Sequence, residues 1–225
     1  MGKLLGALTV GQAPRPDIAP VLEAALGPEI ACLHAGVLDG LMRDEIEIRF
    51  GRKPSSRLLT TRLLDGSSVV IDKDATEDAA VAKVAALEEQ GCSAILMLCT
   101  GSFHRLKTKK AWLLEPDHLL PGAVASLIGD RQLGVLAPLP EQIESEHDKW
   151  RPLRRAPIYA ASSPYTGSSE ELAAAARALA DRGADVLLMD CMGYAANHKS
   201  IAGGASGLPV ILSNALVAKL VSEIV

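Results

Sequence analysis

Two segments of this chain repeat each other, and this repeat constrains the fold more than any other feature of the sequence. Residues 86–101 and 178–193 share one order: an amphipathic segment, a glycine, an apolar strand, a cysteine, any residue and a second glycine. The offset between the copies is 92 positions throughout, so Cys99 aligns with Cys191. A chain that repeats a helix–strand unit in this way is expected to build two similar lobes.

A weaker match extends the repeat toward the N-terminus. Residues 5–8 align with residues 133–136 at an offset of 128 positions. The two offsets differ by 36 residues, which predicts an insertion in the first copy, where a charged helix and a β-hairpin occupy residues 39–72. We expect a first lobe made of residues 1–115 and 210–225, and a second lobe made of residues 116–209.

Apolar runs of strand length alternate with segments of helical periodicity along the whole chain. This alternation is typical of parallel sheets with helices on their faces, so the predicted fold class is α/β with one parallel sheet in each of two pseudo-symmetric lobes. Strands are predicted at 4–10, 30–38, 94–98, 133–137, 156–161, 185–189 and 209–212, a hairpin at 58–72, and helices at 17–26, 39–50, 75–90, 116–128, 141–150, 168–182 and 214–224. Residues 203–207 are interpreted as a flexible glycine-rich loop; no Lys-Ser or Lys-Thr follows them, which argues against a phosphate-binding loop.

The composition argues against several classes of function. The 23 Lys and Arg against 27 Asp and Glu give a formal net charge of −4, without the basic balance of nucleic-acid-binding domains. Aromatic residues make up 3% of the chain, too few for base-stacking platforms. No uncharged apolar stretch reaches about 18 residues, and the apolar N-terminus is interpreted as a strand rather than a signal peptide. We therefore expect a cytoplasmic protein with reduced thiols.

Two of the four cysteines stand where parallel sheets bind their ligands. Cys99 and Cys191 each follow a predicted strand, at its carboxyl end. If the lobes face each other, the thiols approach one cleft from opposite sides, which suits removing a proton from one face of a carbon and returning one to the other. This chemistry requires neither a metal nor an organic cofactor. Cys92 would lie about 20 Å from Cys99 along a strand, too far to share a metal ion, and Cys32 and Cys92 are assigned to packing.

The glycine after each cysteine favours a tight turn. Backbone N–H groups of Thr100, Gly101, Met192 and Gly193 could there stabilise a thiolate or a substrate carboxylate.

Other polar residues lie at or near strand ends, and Arg15 among them allows more than one interpretation of its role. Arg15 could hold a carboxylate with paired hydrogen bonds, or could be a solvated residue between two prolines. Asp190 is expected to point away from the thiol and to form a structural pair. His104 and His198 are predicted to lie outside the reacting centre, and Ser213 with Asn214 to cap the last helix.

Six short motifs are spread nearly from end to end of the chain. They are Thr-Val-Gly-Gln-Ala-Pro-Arg at 9–15, Leu-Cys-Thr-Gly at 98–101, Glu-Pro-Asp at 115–117, Pro-Tyr at 164–165, Asp-Cys-Met-Gly-Tyr at 190–194 and Pro-Val-Ile-Leu-Ser-Asn at 209–214. Together these motifs resemble the AroM family. AroM-like proteins are similar to the wider aspartate/glutamate racemase superfamily. That resemblance implies two α/β lobes, one cysteine from each, a cofactor-independent racemase, isomerase or decarboxylase activity, and a homodimer.

The residues and the resemblance predict a cofactor-independent racemase or isomerase that acts at the carbon α to a carboxylate, with Cys99 and Cys191 exchanging roles as acid and base. The expected partner is a small carboxylate-bearing metabolite, with no nucleic acid and no membrane. Two alternatives stay open: an isomerase or decarboxylase in which Cys191 acts alone, and a non-catalytic protein that binds a small acid. Substrate-binding residues are predicted to be Gly11, Gln12, Pro14, Arg15, Thr100, Gly101, Tyr165, Met192, Gly193 and Tyr194.

Overall fold

The computed structural model describes residues 4–145 and 148–225. They form two four-stranded parallel sheets and a two-stranded antiparallel ribbon, flanked by helices. In chain order the elements are β1 (Leu4–Thr9), α1 (Ala19–Leu26), β2 (Ala31–Gly36), α2 (Arg43–Phe50), β3 (Leu58–Arg62), β4 (Ser68–Asp72), α3 (Lys73–Glu89), β5 (Ala94–Met97), β6 (Trp112–Leu114), α4 (Pro116–Ile128), β7 (Leu133–Ala137), α5 (Pro140–Ser145), β8 (Ile158–Ala161), α6 (Ser169–Asp181), β9 (Val186–Met189), α7 (Ala196–Ser206), β10 (Val210–Leu212) and α8 (Ser213–Ser222).

The two parallel sheets have the same plan. The first has the order β2-β1-β5-β6 and the second the order β8-β7-β9-β10. Leu8 of β1 pairs with Met97 of β5, and Leu136 of β7 pairs with Met189 of β9. These partners are related by the sequence offsets of 128 and 92. The repeat therefore corresponds to two lobes of one design, and the predicted α/β fold class is confirmed.

The insertion in the first lobe carries α2 and the antiparallel β3–β4 ribbon. In the second lobe β8 leads to α6 through a short loop. Leu59 of β3 and Ile71 of β4 are buried and pack with Val10 and Phe103 of the first lobe. Burial of such a side chain contributes about 1.5–3 kcal/mol, so these residues hold the ribbon against the body of the lobe.

The inner faces of both sheets share one core. Leu5 and Ala7 of β1 belong to the same apolar cluster as Leu133 and Val135 of β7, together with residues of α1, α4 and α8. The alternate residue Leu8 faces a separate cluster under α3 and the ribbon, and the second lobe has a cluster of its own under α6 and α7. Because successive side chains of a strand point to opposite faces of the sheet, the protein has three apolar layers, and the middle layer joins the lobes.

The structure differs from the expected lobe boundary near the C-terminus. β10 pairs with β9, so residues 210–212 lie in the second sheet rather than in the first lobe. α8 then packs against α1 and α4 in the shared core. Within the described residues, no helix is long and apolar enough to cross a membrane.

Two elements were not predicted, and some predicted helices are shorter; α2, for example, begins at Arg43 rather than at residue 39. β6 is a three-residue edge strand beside β5. α7 includes the glycines of 203–206, and Gly207 ends it in a left-handed conformation with φ of 69°, so the interpretation of 203–207 as a loop is wrong. α5 ends at Ser145, and residues 146–147 of the predicted helix 141–150 lie outside the described part.

Candidate active site

Cys99 and Cys191 occupy the same place in the two lobes. One residue past β5, the N–H of Leu98 donates to the carbonyl of Leu8 at 2.7 Å. The N–H of Asp190 donates in the same way to the central strand of the second sheet, at 3.0 Å. The backbone therefore stays in register until the cysteine itself, at the carboxyl edge where ligands of parallel sheets bind.

Each cysteine is followed by a turn that folds back onto its own sulfur. The N–H of Gly101 donates to Cys99 Sγ at 3.5 Å, and the N–H of Gly193 donates to Cys191 Sγ at 3.5 Å. A backbone donor aimed at sulfur stabilises the thiolate over the thiol. The two turns are thus equivalent in chemistry as well as in fold.

Both thiols line one small cavity between the lobes. Its volume is about 20 Å³, which is room for about one water molecule. Four of the predicted substrate-binding residues line it as well: Arg15, Thr100, Tyr165 and Met192. The ribbon residues Leu59, Thr60 and Thr61 form one wall of this cavity, a contribution that the sequence pattern did not predict.

Arg15 is 3% exposed and is held by its neighbours. Its Nε and Nη2 donate to the two carboxylate oxygens of Asp17 at 2.9 and 2.6 Å. Nη1 donates to Thr9 Oγ1 at 3.1 Å, and Nη2 also donates to Tyr165 Oη at 2.9 Å. A guanidinium has five N–H donors, and these bonds occupy four of them. Arg15 is therefore a fixed donor at the cavity. To bind a carboxylate with two N–H groups, it would have to release one of these partners.

Cys191 is buried and contacts Tyr165, whose hydroxyl oxygen lies 3.8 Å from the sulfur. Burial raises the pKa of the Cys191 thiol, because it disfavours the charged thiolate. The N–H of Gly193, the charge of Arg15 and the hydroxyl of Tyr165 act in the opposite direction.

A buried lysine ties the two cysteine turns together. Lys149 Nζ lies 2.5 Å from Asp190 Oδ2 and donates to the carbonyl of Thr100 at 2.9 Å. The hydroxyl of Thr100 donates to the backbone carbonyl of Asp190 at 3.1 Å. The expected structural pairing of Asp190 is confirmed, and its partner Lys149 was not among the predicted site residues.

Side chains at the start of α8 also hold the turn after Cys191 by hydrogen bonds. Asn214 is fully buried, and its side-chain N–H groups donate to the carbonyls of Met192 and Tyr194 at 3.0 and 2.6 Å. Ser213 Oγ donates to the carbonyl of Met189 at 2.8 Å. The predicted capping role of Ser213 and Asn214 is therefore wrong, because α8 begins without a side-chain cap and both residues bind the β9 side of the site.

Other predicted substrate-binding residues have structural contacts next to the cavity. Gly11 faces Thr61 and Arg62 so closely that a Cβ there would overlap the ribbon. Gln12 Nε2 donates to the carbonyls of Leu38 and Leu41 at 3.3 and 3.0 Å, and Pro14 is exposed. The hydroxyl of Tyr194 donates to the carbonyl of Ser162.

The cavity that holds the thiols is not lined by Cys32, Cys92, His104 or His198. His198 Nδ1 accepts the N–H of Ala195 at 2.9 Å at the start of α7. His104 is exposed and lines a separate cavity, described next. Cys92 is buried in the cluster under α3, and Cys32 packs at the margin of the shared core.

A larger cavity adjoins the thiol cavity. Its volume is about 220 Å³, and it shares the side chains of Leu59 and Gln142 with the cavity that holds the thiols. Arg57, Lys73 and His104 also line it. Leu59 of the ribbon and Gln142 of α5 therefore lie between the thiols and a space large enough for a small metabolite.

Comparison with solved structures finds the same fold in racemases and in a decarboxylase. Allantoin racemase from Pseudomonas fluorescens matches with a TM-score of 0.60 and 15% identity, over 98% of this chain and 89% of that chain. Glutamate racemase from Thermus thermophilus matches with a TM-score of 0.62 and 17% identity, over 99% and 80%. An arylmalonate decarboxylase matches with a TM-score of 0.57 and 13% identity, over 98% and 91%. At these identities the likeness shows the fold alone.

Among curated proteins, no relative matches this sequence. The family model described as AroM protein matches residues 5–225, which is nearly the whole chain. The resemblance seen in the six motifs is thereby confirmed, and the fold of the structural neighbours agrees with it. This chain is a member of the AroM family.

Proposed function

We propose that this protein is a racemase or isomerase that acts at the carbon α to a carboxylate, with Cys99 and Cys191 as its acid–base pair. One observation carries the proposal: two thiols at equivalent positions of two matched lobes line one cavity. The fold shared with racemases supports the same class of reaction.

The reaction needs one thiolate and one thiol. The thiolate takes the α-proton from one face of the substrate and becomes a thiol, and the electron pair of the broken C–H bond is delocalised into the carboxylate. The opposite thiol gives its proton to the other face of the same carbon and becomes a thiolate. The configuration inverts, the protons balance, and the two cysteines have exchanged their states. Because all of these steps use protein groups, no cofactor enters the proposal.

The turns after the cysteines supply the electrostatics. Gly101 and Gly193 each place an N–H against a sulfur. These N–H groups stabilise the thiolate that forms when a cysteine gives up its proton. Thr61 is fully buried at the cavity wall, and its hydroxyl has no hydrogen-bond partner among the described residues. We assign it to substrate, because a buried hydroxyl is otherwise costly to leave unbonded.

The size of the thiol cavity bears on how a substrate enters. About 20 Å³ does not hold a carboxylic acid with a substituted α-carbon. The proposal therefore includes an opening movement of the ribbon or of a lobe, with the adjoining 220 Å³ cavity accommodating the remote part of the substrate. The substrate is a small carboxylate-bearing metabolite, and we propose a cytoplasmic location and a homodimer.

The test is hydrogen exchange at the α-carbon. The protein is incubated in deuterated water with amino acids and small 2-substituted acids, and deuterium at Cα is followed by NMR. Wild type should exchange at least one substrate, whereas Cys99→Ala and Cys191→Ala should each lose the exchange. Cys32→Ala is the matched control and should exchange like wild type. Exchange that persists in both active-site variants would refute the two-thiol mechanism.

A second candidate reaction uses Cys191 alone. The contact of its sulfur with Tyr165, and the fold shared with an arylmalonate decarboxylase, favour this alternative. Activity that survives Cys99→Ala but not Cys191→Ala would select it. Binding of small acids without any turnover, preserved in the double Cys→Ala variant, would instead indicate a non-catalytic binding protein.

A further inference from the structure

The hydroxyl of Tyr165 lies between a buried guanidinium and the sulfur of Cys191. Its oxygen is 2.9 Å from Arg15 Nη2 and 3.8 Å from Cys191 Sγ. A guanidinium can only donate, so the tyrosine oxygen must accept in the bond with Arg15. A thiolate can only accept. When Cys191 is ionised, the single proton of the tyrosine hydroxyl is therefore the hydrogen that fits between oxygen and sulfur.

The donor that fixes this direction is itself immobile. Arg15 and Asp17 form a bidentate ion pair, with side chains 3% and 9% exposed, and Thr9 accepts a further N–H. A charge-assisted pair of this geometry holds the guanidinium in one plane. Tyr165 is thus polarised by a neighbour that cannot rotate away without breaking buried hydrogen bonds.

Gly193 provides an independent observation on the same contact. A Cβ at Gly193 would overlap the hydroxyl and ring of Tyr165. The position therefore has to be glycine for the phenol to reach the sulfur, while the N–H of the same residue binds that sulfur. At the equivalent Gly101 the nearest atom is Leu59 Cδ2, at 3.0 Å. One turn faces a hydroxyl and the other an apolar methyl group, although the turns match.

We infer that Tyr165 donates a hydrogen bond to the Cys191 thiolate, and that Arg15 and Asp17 position it for that purpose. The inference rests on the proposed function, in which Cys191 is one of the two acid–base groups. The two thiols are then chemically unequal. The turn after Cys191 faces the phenol of Tyr165, from the second lobe, whereas the turn after Cys99 faces Leu59, from the inserted ribbon.

The other groups around this sulfur are compatible with that role. Asp190 and Tyr194 lie on the same turn as Cys191, and Cys99 lines the same cavity. The Asp190 carboxylate, which is paired with Lys149, acts together with burial to raise the pKa of the Cys191 thiol. Burial raises the pKa of the Cys191 thiol, and the N–H of Gly193, the charge of Arg15 and the hydroxyl of Tyr165 oppose that rise. Removing the Tyr165 donor should therefore raise this pKa further.

The experiment measures alkylation of each cysteine against pH. The full-length protein is treated with iodoacetamide from pH 6 to 10, and peptide mapping by mass spectrometry follows each thiol separately. In Tyr165→Phe the rate at Cys191 should fall about tenfold near neutral pH, the loss expected for one hydrogen bond to a charged group. The midpoint of its pH profile should move upward relative to wild type. Tyr159→Phe loses a hydroxyl elsewhere in the second lobe and should leave the profile as in wild type.

Each result decides for or against the inference. If folded Tyr165→Phe gives an unchanged Cys191 profile, or if the Cys99 profile moves equally, the inference is wrong. Should Tyr165→Phe not fold, Gly193→Ala displaces the same hydroxyl and should raise the midpoint in the same direction; an unchanged midpoint would again refute it. Alkylation needs no turnover, so an error in the proposed reaction would appear only in the deuterium exchange experiment.

Discussion

Lys149 Nζ lies 2.5 Å from Asp190 Oδ2, with both side chains almost completely buried, and Asp190 directly precedes Cys191. Removing one member of a buried ion pair leaves an uncompensated charge and costs about 3–5 kcal/mol. We expect Lys149→Met and Asp190→Asn each to lower the free energy of unfolding by about this amount, measured by urea denaturation. The double variant should lose less than the sum of the two, and strictly additive losses would contradict the pairing.

The glycines after the two cysteines should differ in their tolerance of alanine. At Gly193 a methyl group overlaps Tyr165, whereas at Gly101 it meets only the end of the Leu59 side chain, which can rotate. Gly193→Ala is expected to destabilise the protein by about 1–3 kcal/mol, the usual cost of overpacking, and Gly101→Ala by clearly less. Thermal and urea unfolding of the two variants, measured side by side, would reveal equal losses if this account of the turns were mistaken.

Thr61 should show a conflict between stability and function. Thr61→Val replaces a buried hydroxyl that has no partner in the described part of the chain, so the free energy of unfolding should stay equal or rise by up to about 1 kcal/mol. If the hydroxyl binds substrate, α-proton exchange should fall in the same variant. Thr60→Val is the neighbouring control: its hydroxyl donates to the carbonyl of Val69 at 3.4 Å, and its loss should lower stability instead. A Thr61→Val protein that is both less stable and fully active would contradict the assignment.

Stability should fall in mild acid because of His198. Burial lowers the pKa of His198, and its Nδ1 accepts the N–H of Ala195, which protonation would prevent. The unfolded chain takes up this proton near the ordinary histidine pKa of about 6.5, and the folded chain resists it. The stability contributed by neutral His198 is therefore complete above the ordinary histidine pKa, and it is lost as the pH falls from there through the lower pKa of the folded chain. His198→Asn keeps an acceptor without a charge, so its unfolding free energy should decline less between pH 7 and 5, whereas exposed His104→Asn should follow wild type.

The repeat made the architecture and the two thiols predictable, because both follow from local patterns. Apolar runs identify central strands, and a fixed offset relates the lobes without knowledge of any long-range contact. β6 was missed because three residues at a sheet edge carry too little pattern to stand out, although its counterpart β10 was found beside Pro209. α7 was missed because Gly203 and Gly204 have low helix propensity, and packing against α6 and β10 overrides it.

The site residues that escaped prediction act across long distances in sequence. Lys149 binds Thr100 and Asp190, which are 49 and 41 residues away. Thr61 reaches the cavity only because the ribbon folds back over the first sheet. No local sequence motif predicts such contacts. The direction of the Tyr165 hydrogen bond likewise depends on Arg15, which lies 150 residues earlier.

The cross-lobe bonds of Thr100 to Asp190 and Lys149 have a mechanical consequence. They fasten the two halves directly beside the cysteines, so moving the lobes apart at the sulfurs would require breaking these buried bonds. The ribbon of residues 58–72 takes no part in them. A displacement of the ribbon would therefore enlarge the thiol cavity and leave these bonds between the lobes intact.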